Sequence, residues 1–178
     1  MRLFFILSWF FCFALCLPLS SHADVSDPIK RLPVQDAGRL KPFDTFARES
    51  LHLVYGKKTY KGRSASDVVF TWMLIPEHWD KEPFIEVRHS GLREALQLPE
   101  KRSYFSPLEL FVNDRLGLLF QDLQSQREAD EKLNPYYQAV QRLNNQMTIF
   151  HMIKNGTGLR VVPSKESDTW VSVSSLEG

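Results

Sequence analysis

The sequence predicts a mainly α fold with a few short strands, in which a hairpin of two long helices packs with two shorter N-terminal helices. Three observations lead there. Apolar residues recur at helical spacing from Phe43 to Val54 and again from Val68 to Met73. Ser106-Pro107-Leu108-Glu109 joins a hydroxyl cap, a proline at the first helical position and a glutamate three residues after the cap, which together open a helix. Tyr136, Val140, Leu143, Met147 and Phe150 then alternate steps of four and three, the seam of a helix–helix contact.

The chain has 178 residues, enough for one domain with a real core. Its start belongs to a different physics. Met1-Arg2 is followed by an almost wholly apolar run from Leu3 to Leu17, then Pro18 and the small residues Ser21 and Ala23. At about 15 residues the run is short of the ~20 that cross a bilayer. It reads as a secretory signal over 1–23, with the mature chain starting at Asp24. An uncleaved anchor is the competing reading. A lipid anchor on Cys16 is disfavoured by Leu15, where a small residue would be wanted. Cys12 and Cys16 both fall inside the signal, so the domain over 24–178 has no disulfide and no thiolate to offer a metal or a substrate. Without Arg2 the 22 basic residues fall to 21 and equal the 21 acidic ones, a balance that argues against nucleic acid as a partner.

Taken in order, 24–33 is polar with two prolines and predicts an extended lead-in. Ala37-Gly38 and Lys41-Pro42 mark turns. Phe43, Phe46, Ala47, Leu51 and Val54 form the apolar stripe of the first helix, which Gly56 stops. Lys57 to Arg63 is a basic connection. Ser64 to Asp67 caps a second helix through Trp72 and Met73, ended by Pro76. Phe84 to Val87 reads as a short strand, and Ser90 is placed to cap a short helix through Leu96. The helix opened by Ser106 should carry Leu108, Val112, Leu116, Leu119 and Leu123 on one face. Asn134-Pro135 separates it from the last long helix, which ends at Gly156. Short linkage between two long helices predicts an antiparallel pair. The remainder, 159–178, is expected to be an extended tail.

Motifs of catalysis are missing. His52, His78, His89 and His151 include no pair at helical i,i+3 or i,i+4 spacing that would hold a metal. Gly56-Lys57-Lys58-Thr59 resembles the end of a phosphate loop but lacks its leading glycine and strand. No Gly-x-Ser-x-Gly elbow occurs. Asn155-Gly156-Thr157 fits a glycosylation triplet and reads more simply as a helix end. The carboxylates are explained as solvated faces without pairing any two as acid and base. An enzyme is therefore not expected.

Residues 33–49 mix roles most tightly. Gly38 permits a turn, and Arg39, Lys41 and Arg48 stand near Asp36, Asp44 and Glu49. On residue chemistry alone this is a loop and helix start with surface ion pairs, each worth little. The string Pro33-Val34-Gln35-Asp36-Ala37-Gly38-Arg39-Leu40-Lys41-Pro42-Phe43-Asp44-Thr45-Phe46-Ala47-Arg48-Glu49 nevertheless resembles the opening of the extramembrane region of system II cytochrome c synthases of the CcsBA type. Ala37 departs from that pattern, where glycine is usual, and puts in question a need for positive φ there. The resemblance runs on through Ala65 to Leu74, Pro76 to Trp79, Tyr104 to Phe111, Leu159 to Pro163 and Trp170 to Ser172.

The resemblance implies a periplasmic, non-catalytic component of cytochrome c maturation that docks on a membrane-embedded synthase or other haem-handling protein, with apocytochrome c as a further partner. The family's membrane helices and tryptophan-rich loop have no counterpart here, so haem is expected to be held by the partner and no cofactor by this chain. A subunit in its own right and part of a split gene are both compatible with that reading. The implied contact residues, facing the partner or the haem propionates, are Gln35, Asp36, Gly38, Arg39, Lys41, Asp44, Arg48 and Glu49. The alternative is a standalone periplasmic adaptor or ligand-binding module of the same domain type with no haem role.

Overall fold

The computed structural model describes residues 27–128, 132–165 and 167–176. The segment read as a signal, with both cysteines, lies outside them. One helical turn, α1 (Asp27–Lys30), stands where an extended lead-in is expected, held by Ile29 packing on the core. Two strands follow, β1 (Pro33–Asp36) and β2 (Arg39–Pro42), paired so that Asp36 faces Arg39 across a two-residue turn. Ala37 and Gly38 both have positive φ, 48° and 75°. That is the demand of the hairpin turn whose twist suits its strands. The alanine thus meets the requirement that its identity put in question.

Helix α2 (Phe43–Tyr55) follows the predicted stripe and buries Phe43, Phe46, Ala47, Ser50, Leu51 and Val54. It ends in a left-handed cap at Gly56, whose N–H reaches the His52 carbonyl. The basic connection is a second small hairpin, β3 (Thr59–Tyr60) and β4 (Arg63–Ser64), again turned by two positive-φ residues, Lys61 and Gly62. Helix α3 (Ala65–Leu74) starts at Ser64, whose hydroxyl accepts from the Asp67 N–H at 3.2 Å. Pro76 opens a short α4 (Pro76–Lys81). Strand β5 (Ile85–Glu86) pairs with β6 (Tyr104–Phe105). Between them lies α5 (Ser90–Ala95), capped not by Ser90 but by the ring of His89, which accepts the Leu92 N–H at 3.2 Å.

The capping box at Ser106 and Glu109 forms, but its helix is short: α6 (Pro107–Phe111) ends and α7 (Asp114–Glu128) begins after a break at Val112 and Asn113. Asn113 causes the break. Its side chain donates to the Leu96 carbonyl at 2.7 Å and accepts the Arg115 N–H at 3.1 Å, which restarts the helix. The expected common stripe is therefore split, leaving Leu108 and Val112 exposed while Leu110 goes inside. The centre of the molecule is α8 (Pro135–Lys154), which touches α2, α3, α5, α7 and β5. Helix α7 lies against it through Leu116 and Leu123, and the Tyr137 hydroxyl donates to Asp122 at 2.6 Å. The link between these helices runs through residues 129–131, outside those described.

The tail is part of the fold. Strands β7 (Arg160–Val162) and β8 (Val171–Ser172) complete an antiparallel sheet in the order β2-β1-β7-β8, followed by a 3-10 turn (Val173–Leu176). The core is aromatic. Phe84 sits 5.5 Å from Trp72, 5.1 Å from Trp79 and 5.2 Å from Phe150, with tilted or edge-on rings, the arrangement that ring quadrupoles favour.

Candidate functional site

The β1–β2 hairpin and the first turns of α2 bring most of the sequence-predicted residues together. Lys41 points back across the hairpin and forward to the helix. Its ammonium donates to Asp36 at 2.9 Å and to Glu49 at 2.6 Å. The bonds to Glu49 first, then to Asp36, hold its pKa above the ordinary lysine value. Arg48 pairs with Asp44 one helical turn before it, and the other Asp44 oxygen accepts the Ser66 hydroxyl at 2.7 Å. This second bond ties the start of α2 to α3.

Gln35 faces the other way. Its Nε2 donates to the Asp168 carbonyl at 2.6 Å and its Oε1 accepts the Trp170 N–H at 2.7 Å. The one amide pins the β7–β8 loop to β1, using both of its hydrogen-bonding ends. At the hairpin tip Arg39 is exposed and makes no ion pair among the described residues, and beside it Leu40 is 59% exposed. The eight residues therefore divide by work. Gln35, Asp36, Lys41, Asp44, Arg48 and Glu49 hold one another or the fold, Gly38 makes the turn, and Arg39 is offered outward.

A second feature is apolar. Where α6 meets α7 and α8, Phe111 stands 80% exposed between two hollows. The larger, about 410 Å³, is walled by Phe111, Leu116, Phe120, Met147 and Met152. His151 borders both hollows, and its Nε2 lies 2.8 Å from the Asn155 amide nitrogen.

The chain is similar to Protein NrfI of Wolinella succinogenes, with 27% identity over 153 residues. The match takes in 79% of this chain and 16% of NrfI, so this chain spans a small part of that protein's length. No family model matches.

A third centre was not singled out from the sequence. Glu86, in β5, is buried to a side-chain exposure of 5%. Its Oε1 receives Arg88 Nε at 2.9 Å and the Tyr104 hydroxyl at 3.2 Å, while its Oε2 has no hydrogen-bond donor among the described residues. Arg142 of α8 stands 3.9 Å from that second oxygen. Burial first, then the nearby Glu86 charge, pushes the Tyr104 hydroxyl up to about 12. Beneath Glu86, Gln146 of α8 is wholly buried and its Nε2 reaches the carbonyls of Leu53, Val54 and Glu86 at 2.9, 3.1 and 3.2 Å. The spacing held a clue to Gln146, since it lies three residues after Leu143 and four before Phe150, on the seam itself. Glu86 sits in a run of buried neighbours, Phe84 to Val87, where alternation offers no guide. Among the described residues no cluster of three or more His, Cys, Asp or Glu could hold a metal ion, and no helix is long and apolar enough to cross a membrane.

Proposed function

We propose that this chain is a non-catalytic periplasmic component of cytochrome c maturation, of the system II type, which docks on a membrane-embedded haem-handling partner. The observation that carries the reading is the continuous resemblance over 33–49, because those residues form one structural piece. Its inner members (Gln35, Lys41, Asp44) fix the hairpin against the tail and α3, and its tip presents Arg39 and Leu40. The likeness to NrfI points to cytochrome c biogenesis in the broad sense. Haem is cargo held by the partner, and apocytochrome c is the further client.

An exposed guanidinium beside an exposed leucine suits a protein contact or a haem propionate equally, since a planar cation grips a carboxylate by two parallel bonds. The test is a haem stain of covalent c-type cytochromes in cells lacking the gene. The bands should disappear, return with the wild-type gene, and fail to return with Arg39→Glu produced at normal level. Unchanged bands in the deletion would remove the maturation role and leave the standalone adaptor reading. Full rescue by Arg39→Glu would move the contact away from the hairpin tip.

A further inference from the structure

At the end of α2 opposite the hairpin, the sequence places Lys57 and Lys58, and the fold adds three more cations to them. Lys57 Nζ lies 5.5 Å from the centre of the Tyr55 ring and 6.0 Å from that of Tyr104. Tyr55 packs on Tyr60 at 4.9 Å, and Lys61 lies 5.2 Å over Tyr60. Tyr104 leads to Glu86, which gathers Arg88 from the segment just after β5 and Arg142 from α8. Lys57, Lys61, Arg88 and Arg142 thus share one surface with two carboxylates, Glu86 and Glu82, the latter bonded to Lys61 at 2.6 Å, and exposed Lys58 adjoins them in the chain. Lys57 and Lys58 make no ion pair among the described residues, and Arg88 and Arg142 both reach solvent around a buried acid.

We propose that this surface is a docking site for an acidic segment of a partner protein. The surplus of positive charge selects an acidic ligand, because like charges brought against it are rejected and opposite ones steered in. A polypeptide fits better than nucleic acid. Beside Arg142 runs a shallow depression of about 470 Å³ bordered by Gln138, Gln141 and Asn145. Their carboxamides both donate and accept, as peptide groups do. The three tyrosine rings pack on one another and under lysines, so they do not stand out as platforms for base stacking.

The test is fluorescence anisotropy of a short fluorescein-labelled peptide of alternating Glu and Gly, titrated with the full-length protein. Binding should weaken as salt rises. Combined Lys57→Glu and Lys58→Glu should weaken it by about tenfold or more, with an unchanged far-ultraviolet circular dichroism spectrum, and Arg142→Gln should weaken it less. The same charge change in the tail, at exposed Arg160 of β7 and exposed Lys165 of the loop after it (Arg160→Glu with Lys165→Glu), should leave it intact. Absence of binding by the wild type, equal loss in that control, or tighter binding of single-stranded oligothymidylate than of the peptide would each overturn the proposal.

Discussion

Replacing Gln146 by leucine tests whether one amide holds the centre of the fold. The side chain is wholly buried in α8, and its two N–H groups serve three carbonyls. Leu53 O keeps a long contact with Arg142 at 3.4 Å, whereas Val54 O has no other side-chain donor among the described residues. Stranding one buried carbonyl costs about 1–3 kcal/mol, and weakening the other two adds about 1 kcal/mol. Against this, leucine also removes Gln146 Oε1, which has no hydrogen-bond donor among the described residues, and returns about 1 kcal/mol. The net expectation is a loss of about 2 kcal/mol, or about 4–8 °C in Tm for a domain of this size. Gln146→Ala should be worse than Gln146→Leu, because it adds a cavity to the same loss. Urea unfolding followed by circular dichroism measures both, with an unchanged slope marking a pure stability effect. A leucine variant as stable as the wild type would refute the reasoning: the amide would then be tolerated rather than needed.

Two glycines at similar φ should respond differently to alanine. Gly38 has open space where a Cβ would go, and Gly38→Ala should cost only the left-handed penalty of about 1–2 kcal/mol; at Gly56 the new Cβ would collide with the Glu86 carboxylate, so thermal unfolding should show a distinctly larger loss. Gln35→Ala should leave the helical core intact while limited proteolysis begins to cut within 164–172, and an unchanged digestion pattern would count against the clamp. The Tyr60 hydroxyl, raised to about 12 by burial and then by its bond to Glu82, favours the fold fully below the ordinary value of 10. That contribution should fade between 10 and 12, and near-ultraviolet titration of tyrosinate should lose one late-ionising group in Tyr60→Phe. Glu82 is held below its ordinary 4.5 by bonds from Lys61 and then Tyr60, so its contribution is present above that value and fades as pH falls through the lowered one; the Lys61→Met variant should show a shallower acid loss near that range.

Helices that bury one continuous side were legible. The stripe from Phe43 to Val54 and the seam from Val140 to Phe150 follow from spacing, because each buries one continuous side. The break at Asn113 was not, since it depends on an amide reaching the Leu96 carbonyl, seventeen residues earlier in the chain. The small hairpin at Lys61-Gly62 is too short for alternation to register. In the candidate site the charges of 33–49 could be read, but their division into inward and outward members could not. Lys41 and Gln35 are spent on partners eight and more than a hundred residues away, Glu49 and the tail, and only the folded chain brings those partners near.

The sheet that joins β1 to β7 makes the domain a closed loop of chain. Gln35 stands opposite Arg160, so entry near Pro33 and exit near Ser172 leave from the same sheet. A domain whose entry and exit lie in one sheet in this way can be set into another polypeptide as a cassette. Its sheet would then transmit force between the two flanks directly, through β1, β7 and β8, while the helices and the Lys57 surface stayed out of the load path.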